Sequence, residues 1–271
     1  MSFRKKYYSL FRFFYREWFS SIRKYKVIYE ENKKISSKNI LIIGIYLTDY
    51  DNQARTLVKQ FHQSKMHNIK QVWYAIGIKD LPNDMKDVTI GHSRKKIPKF
   101  TLLNLILKNL DYKNYDLIIF SDDDIFVREN FIDTYTYLLD KYQFKLAQPA
   151  RTKYSYYDHK ICLQAKEKVI ARTTNFVEIG PIFSVSQDIF NKILPFPEES
   201  PMGYGLDYIW PIISRENNFK IGIIDASPVD HSFREQGKTY SSNNNLYQME
   251  KFLKDKKSTF HEEKLVYETF S

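Results

Sequence analysis

The chain is expected to fold as an α/β domain on a mixed, largely parallel sheet flanked by helices, and three observations predict it. Short β-branched apolar runs alternate with segments of helical spacing through the first half. Turn-forming and helix-capping residues separate them. At 271 residues, with 43% hydrophobic and 16% aromatic content, the chain can bury a sizeable core, which excludes disordered and collagen-like classes.

In order, residues 39–48 read as a strand buried on both faces, 49–52 as a turn rich in helix-capping types, and 53–65 as a helix. Residues 71–78 form a second strand. A second helix over 98–110 spaces Phe100, Leu103, Leu107 and Leu110 for one buried face. The third strand, 116–121, ends in Asp122, Asp123 and Asp124. Such alternation predicts a parallel, Rossmann-like first half with helices on both faces, whose ligands gather at the carboxyl ends of the strands. Beyond it, 145–149, 176–179 and 181–186 read as shorter strands and 187–194 as a helix. A proline-rich loop covers 195–201, a helix 206–215 and a final strand 220–224. Residues 241–245 are polar, and 246–254 form a helix of weak functional content. The expected division is a basic aromatic helix (1–30), a polar linker, a catalytic domain (39–240) and a tail (241–271).

Net charge is +10 with a pI near 9.3, which points to an anionic partner. Through residue 26, eight Lys or Arg stand against one Glu, so most of that charge sits at the start. On a helical wheel Phe3, Tyr7, Leu10, Phe11, Phe14, Trp18, Ile22 and Tyr25 share one face, almost opposite Lys5, Arg12, Arg16 and Arg23. A basic face opposed to an aromatic one describes a helix lying among anionic headgroups; docking of the aromatic face on the domain is the alternative. Aromatics gathered on one face argue against base stacking, so no nucleic-acid partner is expected. No stretch of about 18 uncharged apolar residues spans a membrane. Arg12 and Arg16 interrupt any signal-peptide core. Cys162 is the single cysteine, in keeping with a reducing cytoplasm, and receives no role. A cytoplasmic protein on the inner face of a membrane is the expectation.

The triple aspartate carries the chemistry. Adjacent like charges repel, and a fold rarely gathers them beside a buried strand without a compensating cation. Hard cations such as Mn²⁺ or Mg²⁺ accept carboxylate oxygens and leave positions open for a diphosphate. Residues i and i+2 of an extended chain face the same way, so Asp122 and Asp124 can share a ligand while Asp123 turns aside. A solvated acidic turn is the bland reading. Arg94, Lys95 and Lys96 read as a solvated basic loop, whereas Lys99 heads a helix beside the ligand edge. Glu178, in an otherwise apolar segment, is costly unless paired, so it belongs to a site or answers a buried Arg. Gly203 and Gly205 allow close backbone approach to a ligand and positive φ. Asp207 stands at a helix start, where capping alone would explain it.

The order of motifs resembles the GT-A glycosyltransferases, the nucleotide-sugar-dependent enzymes with a DxD signature. The marks are Lys99-Phe100 with Leu103-Asn104, then Asp122-Asp123-Asp124 at a strand end. Val177-Glu178-Ile179-Gly180-Pro181, Gly203-Tyr204-Gly205-Leu206-Asp207 and Val229-Asp230-His231 follow. The resemblance covers roughly residues 39–235 and implies a GT-A-like fold. Asp124 would bind Mn²⁺ or Mg²⁺, Asp122 the metal or the ribose, and His231 the metal through a neutral imidazole nitrogen. Asp123, Lys99, Gly203, Gly205 and Arg234 would line the nucleotide-sugar site. Asp207 would be the base of an inverting transfer, with Glu178 the other catalytic candidate. Tyr204 and Trp210 could stack on sugars, although Trp210 also suits the core.

The function implied is transfer of a sugar from a nucleotide sugar, UDP favoured, to a glycan or lipid-linked acceptor in cell-surface polysaccharide or glycolipid synthesis. A sugar-phosphate nucleotidyltransferase would carry a Gly-rich, basic phosphate loop after the first strand, where Thr48-Asp49-Tyr50-Asp51-Asn52 stands instead. A haloacid-dehalogenase-like phosphatase wants its nucleophile on the first strand with Thr or Val two residues on; Phe126 occupies that place. A non-enzymatic basic module binding membrane or nucleic acid is the reading from another class.

Overall fold

The isoleucine-rich run becomes strand β1 (Asn39–Leu47), buried along nearly its whole length. Its alternation deals side chains to two cores. Leu41, Ile43 and Ile45 join one face, and Ile40, Ile42 and Tyr46 the other. The computed structural model describes residues 11, 14, 15, 36–165, 168–234, 243–259 and 262–271. The basic aromatic helix expected over 1–26 therefore lies outside the described residues, save for Phe11, Phe14 and Tyr15.

Along the chain β1 is followed by α1 (Ala54–Phe61), β2 (Asn68–Ile76), β3 (Thr89–Ser93), α2 (Lys99–Lys108) and β4 (Leu117–Ser121). Then come α3 (Phe131–Tyr142), β5 (Phe144–Arg151), β6 (Ala171–Thr174), β7 (Ile182–Ser186) and the short α4 (Phe190–Ile193). α5 (Leu206–Glu216), β8 (Lys220–Val229), α6 (Asn243–Asp255) and β9 (Val266–Phe270) complete it. One mixed sheet runs in the order β3-β2-β1-β4-β7-β5-β8-β6-β9. The first four strands are mutually parallel, as expected of the first half.

Strand direction decides what meets at the carboxyl edge. β7 is antiparallel to both β4 and β5, and β8 is parallel to β5. β4, β5 and β8 therefore point the same way, and their ends deliver Asp122–Asp124, Arg151 and His231 to one edge of the sheet. β7 begins at that edge, because Ile182 pairs with Ser121. An antiparallel bridge between Phe126 and Asp230, with N–H···O distances of 2.9 and 3.0 Å, ties the segment after the aspartates to the one before His231.

Several expected elements differ. The aspartates follow the fourth strand in chain order, because β3 intervenes unannounced. Residues 176–179 form no strand; the strand lies earlier, at β6. Three-residue turn Gln187–Ile189 precedes α4, where one longer helix was expected. α3 escaped the sequence reading altogether. It is buried over Phe131–Leu139, and Thr and Tyr occupy much of it, so no single apolar stripe marks it. β8 is not the last strand. β9 follows and pairs antiparallel with β6, while Met249, Phe252 and Leu253 of α6 are buried in the core.

Candidate active site

Three aspartates with three different surroundings form the tip of β4. Asp122 receives both oxygens' contacts from Lys99 Nζ, at 2.7 and 2.9 Å, and Lys99 also donates to the Ile179 carbonyl at 3.1 Å. Asp123 is buried. One oxygen accepts the Leu47 N–H at 2.7 Å, and the other meets the Arg234 guanidinium. Burial pushes its carboxyl up to about 7 against the pull of Arg234. Asp124 lies between His231 Nε2 and Arg234 Nε, each at 3.4 Å. Burial raises its pKa too, but His231, Arg234 and Lys99 outweigh it and hold the carboxyl at about 2. Arg234 in turn lies 5.9 Å from the Tyr50 ring centroid.

The premise that only a metal could compensate these charges needs correction: Lys99 and Arg234 already do so at contact distance. What they leave is specific. Asp124 Oδ1 and His231 Nδ1 are buried without a hydrogen-bond partner. Among the described residues no group of three or more His, Cys, Asp or Glu is arranged to hold a metal ion. Asp124 and His231 nevertheless present one carboxylate and one imidazole together, a donor pair that would hold a divalent cation such as Mn²⁺. Asp122 is turned to Lys99. His231 is positioned from behind. Its N–H donates to Ser155 Oγ at 2.9 Å, and Asp230 accepts from Ser232 and from Thr152 Oγ1.

A second carboxylate group lies beyond a strap made by residues 178–181. Arg151 Nη2 contacts Glu178 and donates to the Gly180 carbonyl at 2.6 Å, while Nη1 donates to Tyr156 O at 2.8 Å. Glu178 is thus the partner of a buried Arg, one of the two roles its setting allowed. Asp207 lies in the first turn of α5, buried, with Oδ1 unpartnered. Burial and then the Glu178 charge raise its carboxyl to about 7. The helix is capped by Gly205, so Asp207 is not its N-cap.

Gly203 and Gly205 have φ of +85° and +92°. A Cβ on Gly203 would fall 2.1 Å from the Phe100 ring, and one on Gly205 would press on Phe252 and Leu253. Both glycines have the positive φ expected of them, and neither position has room for a side chain. Trp210 is core, tilted against Phe183 at 5.2 Å; Tyr204 is exposed. Arg151 was missed, and Asp230 and Tyr50 were given no role of their own. Arg151 ends a strand beside the carboxyl edge, and that placement was the available signal. A cleft of about 440 Å³ lined by Asn39, Asn68, Ile69, Lys70, Leu110 and Tyr115 opens at the opposite edge, away from every group above.

No family model matches the sequence, and no curated protein matches it. Solved structures do. The crystal structure of GalNAc-T7 with UDP, GalNAc and Mn²⁺ aligns over 76% of this chain and 45% of its own, with a TM-score of 0.51 at 10% identity. S. aureus TarS 1–349 with UDP-GlcNAc aligns over 79% and 65%, with 0.53 at 11%. The same TarS fragment with UDP aligns over 78% and 63%, with 0.54 at 11%. The chain spans less than two thirds of the length of these proteins. The fold is the GT-A-like glycosyltransferase fold that the motif order implied.

Proposed function

We propose that the protein is a metal-dependent, inverting glycosyltransferase that moves a sugar from a UDP-sugar to a glycan or lipid-linked acceptor. The observation that carries this reading is the meeting of Asp124 and His231 at 3.4 Å, from strands separated in sequence, at the carboxyl edge of the sheet. UDP, UDP-GlcNAc and Mn²⁺ accompany its structural neighbours and favour the same donor and cation here.

Asp124 and His231 would hold the cation, with Asp122 kept at the edge of the same site by Lys99. Bound there, Mn²⁺ or Mg²⁺ supplies Lewis-acid neutralisation of the departing diphosphate, worth several kcal/mol. Arg234 fixes Asp123 and Asp124 and adds positive charge facing the phosphates. Asp207 accepts the proton of the acceptor hydroxyl. The freed oxygen pair forms the bond to the anomeric carbon as the bond to UDP breaks, and the configuration inverts. A carboxyl near 7 suits this task, because it is substantially ionised at neutral pH yet basic enough to take a proton. Turnover should rise with pH through about 7.

We assign the chemistry to residues 39–240, residues 241–271 to the closing edge of the sheet, and residues 1–26 to peripheral contact with the inner face of a membrane, where cell-surface polysaccharide or glycolipid is made. Phe11 and Phe14 are 51% and 62% exposed, and the neighbouring Tyr15 meets Tyr154 edge-on at 4.7 Å. No helix among the described residues is long and apolar enough to cross a membrane.

UDP-sugar turnover by Asp124→Ala, with its melting temperature preserved, tests the chemistry: loss is expected, and full activity refutes it. Pelleting with anionic vesicles tests the attachment; a chain lacking residues 1–26 that pellets as well as the full one refutes it.

A further inference from the structure

The final segment of the chain places a lysine against Tyr208, the residue after Asp207. Asn175 clamps both neighbours of Lys264. Its Nδ2 donates to the Glu263 carbonyl at 2.8 Å, its N–H to Leu265 O at 3.1 Å, and its Oδ1 accepts the Leu265 N–H at 2.6 Å. So held, Lys264 places Nζ 4.9 Å from the Phe176 ring centroid and 4.7 Å from that of Tyr208, the residue after Asp207. His159 closes the box edge-on, 4.8 Å from Phe176 and 6.3 Å from Tyr208. Two aromatic faces stabilise an ammonium without neutralising it.

We propose that Lys264 is a positioning residue for Asp207: the C-terminal segment sets a fixed positive charge beside the base and keeps it ready to take a proton. The inference rests on the reading of Asp207 as the base. The charged and titratable groups that face this region are few. Glu178, on the strap, disfavours the ionised Asp207, and its charge is answered by Arg151 from β5. Asp158 acts on Glu178 and Tyr208, in each case raising the carboxyl or phenol. His159 is pushed down to about 4 by burial and by Lys264, so at neutral pH it adds no charge. Lys264 favours ionised Asp207, as do the backbone hydrogen bonds at the helix start. α6 supports the same helix start, since Phe252 and Leu253 pack on Gly205.

Carboxyl ¹³C titration of the full chain, with the Asp207 signal assigned by its disappearance in Asp207→Asn, reads the effect without any substrate. In Lys264→Met the Asp207 midpoint should rise by about half a pH unit or more, a roughly threefold change in the ionised-to-neutral ratio. Lys264→Arg should keep it near the wild-type position. A midpoint unmoved in Lys264→Met, at a melting temperature close to wild type, overturns the proposal. If that variant melts early, Lys264→Gln is titrated in its place with the same two outcomes. UDP-sugar turnover by Asp207→Asn separates the two readings. Full turnover overturns the base, whereas an inactive Asp207→Asn with an unmoved midpoint in Lys264→Met removes Lys264 alone.

Discussion

The two carboxylate groups at the sheet edge are built from the same chemistry and differ in their partners. At the tip of β4, Lys99 and Arg234 touch the three aspartates, and Asp124 is held strongly acidic despite its burial. Across the 178–181 strap, Arg151 answers Glu178, while Asp207 is left buried, with one oxygen unpartnered and its carboxyl near 7. Asp124, matched by His231, Arg234 and Lys99, is an anion at neutral pH and suited to holding charge, whereas burial pushes Asp123 up to about 7 even with Arg234 against it. Asp207, raised by burial and by the Glu178 charge, titrates where proton transfer is useful. The difference lies in the company of each residue and not in its type.

Removing the titrating member should have the largest effect. Asp207→Asn keeps shape and burial but cannot accept a proton, and UDP-sugar turnover should fall by about 10²- to 10⁴-fold in a steady-state assay. Breaking the matched member of the same region should act on stability instead. Arg151→Met leaves Glu178 buried without its cation and frees the carbonyls of Tyr156 and Gly180. A cost of about 3–5 kcal/mol is expected, seen as a melting temperature lower by roughly 10 °C.

The pH dependence of stability sharpens the contrast. Folded Asp207 titrates at about 7, against 3.8 for the ordinary carboxyl. The folded chain therefore holds a proton that the unfolded chain releases between those values, and stability falls as pH rises through that window. Asp207→Asn should remove this loss, so it should melt above wild type at pH 8, by on the order of a few kcal/mol, and gain nothing near pH 4. Melting curves at the two pH values check the sign. The smallest effect belongs to Asp230→Asn, which loosens the Ser232 and Thr152 contacts behind His231. Apparent Mn²⁺ potency should drop by about 10- to 100-fold with the fold retained.

The parallel half of the sheet was legible in the sequence because its strands are continuous apolar runs, and alternation with helices leaves few ways to arrange them. α3 was not, since tertiary burial on several sides replaces the single stripe that periodicity can detect. β9 lies at the sheet edge with mostly exposed side chains, so nothing in its composition marks pairing with β6. At the site, the pairing of Glu178 with a buried Arg could be read from residue type and position, while Asp124 with His231 followed from the order of motifs that resembles the GT-A glycosyltransferases. The identity of that Arg, the clasp of Lys99 on Asp122 and the role of Asp230 depend on which strand ends converge. That convergence follows from the antiparallel insertion of β7 between β4 and β5, an order the residues themselves do not spell out.

Calorimetric titration with UDP, with and without Mn²⁺, on wild type and Asp124→Ala tests the central claim most directly. Wild type should bind UDP much more tightly with Mn²⁺, and Asp124→Ala should lose that dependence while keeping its melting temperature. Equal UDP affinity in the two proteins, or no effect of Mn²⁺ on wild type, would contradict the assignment of Asp124 and His231 to the cation.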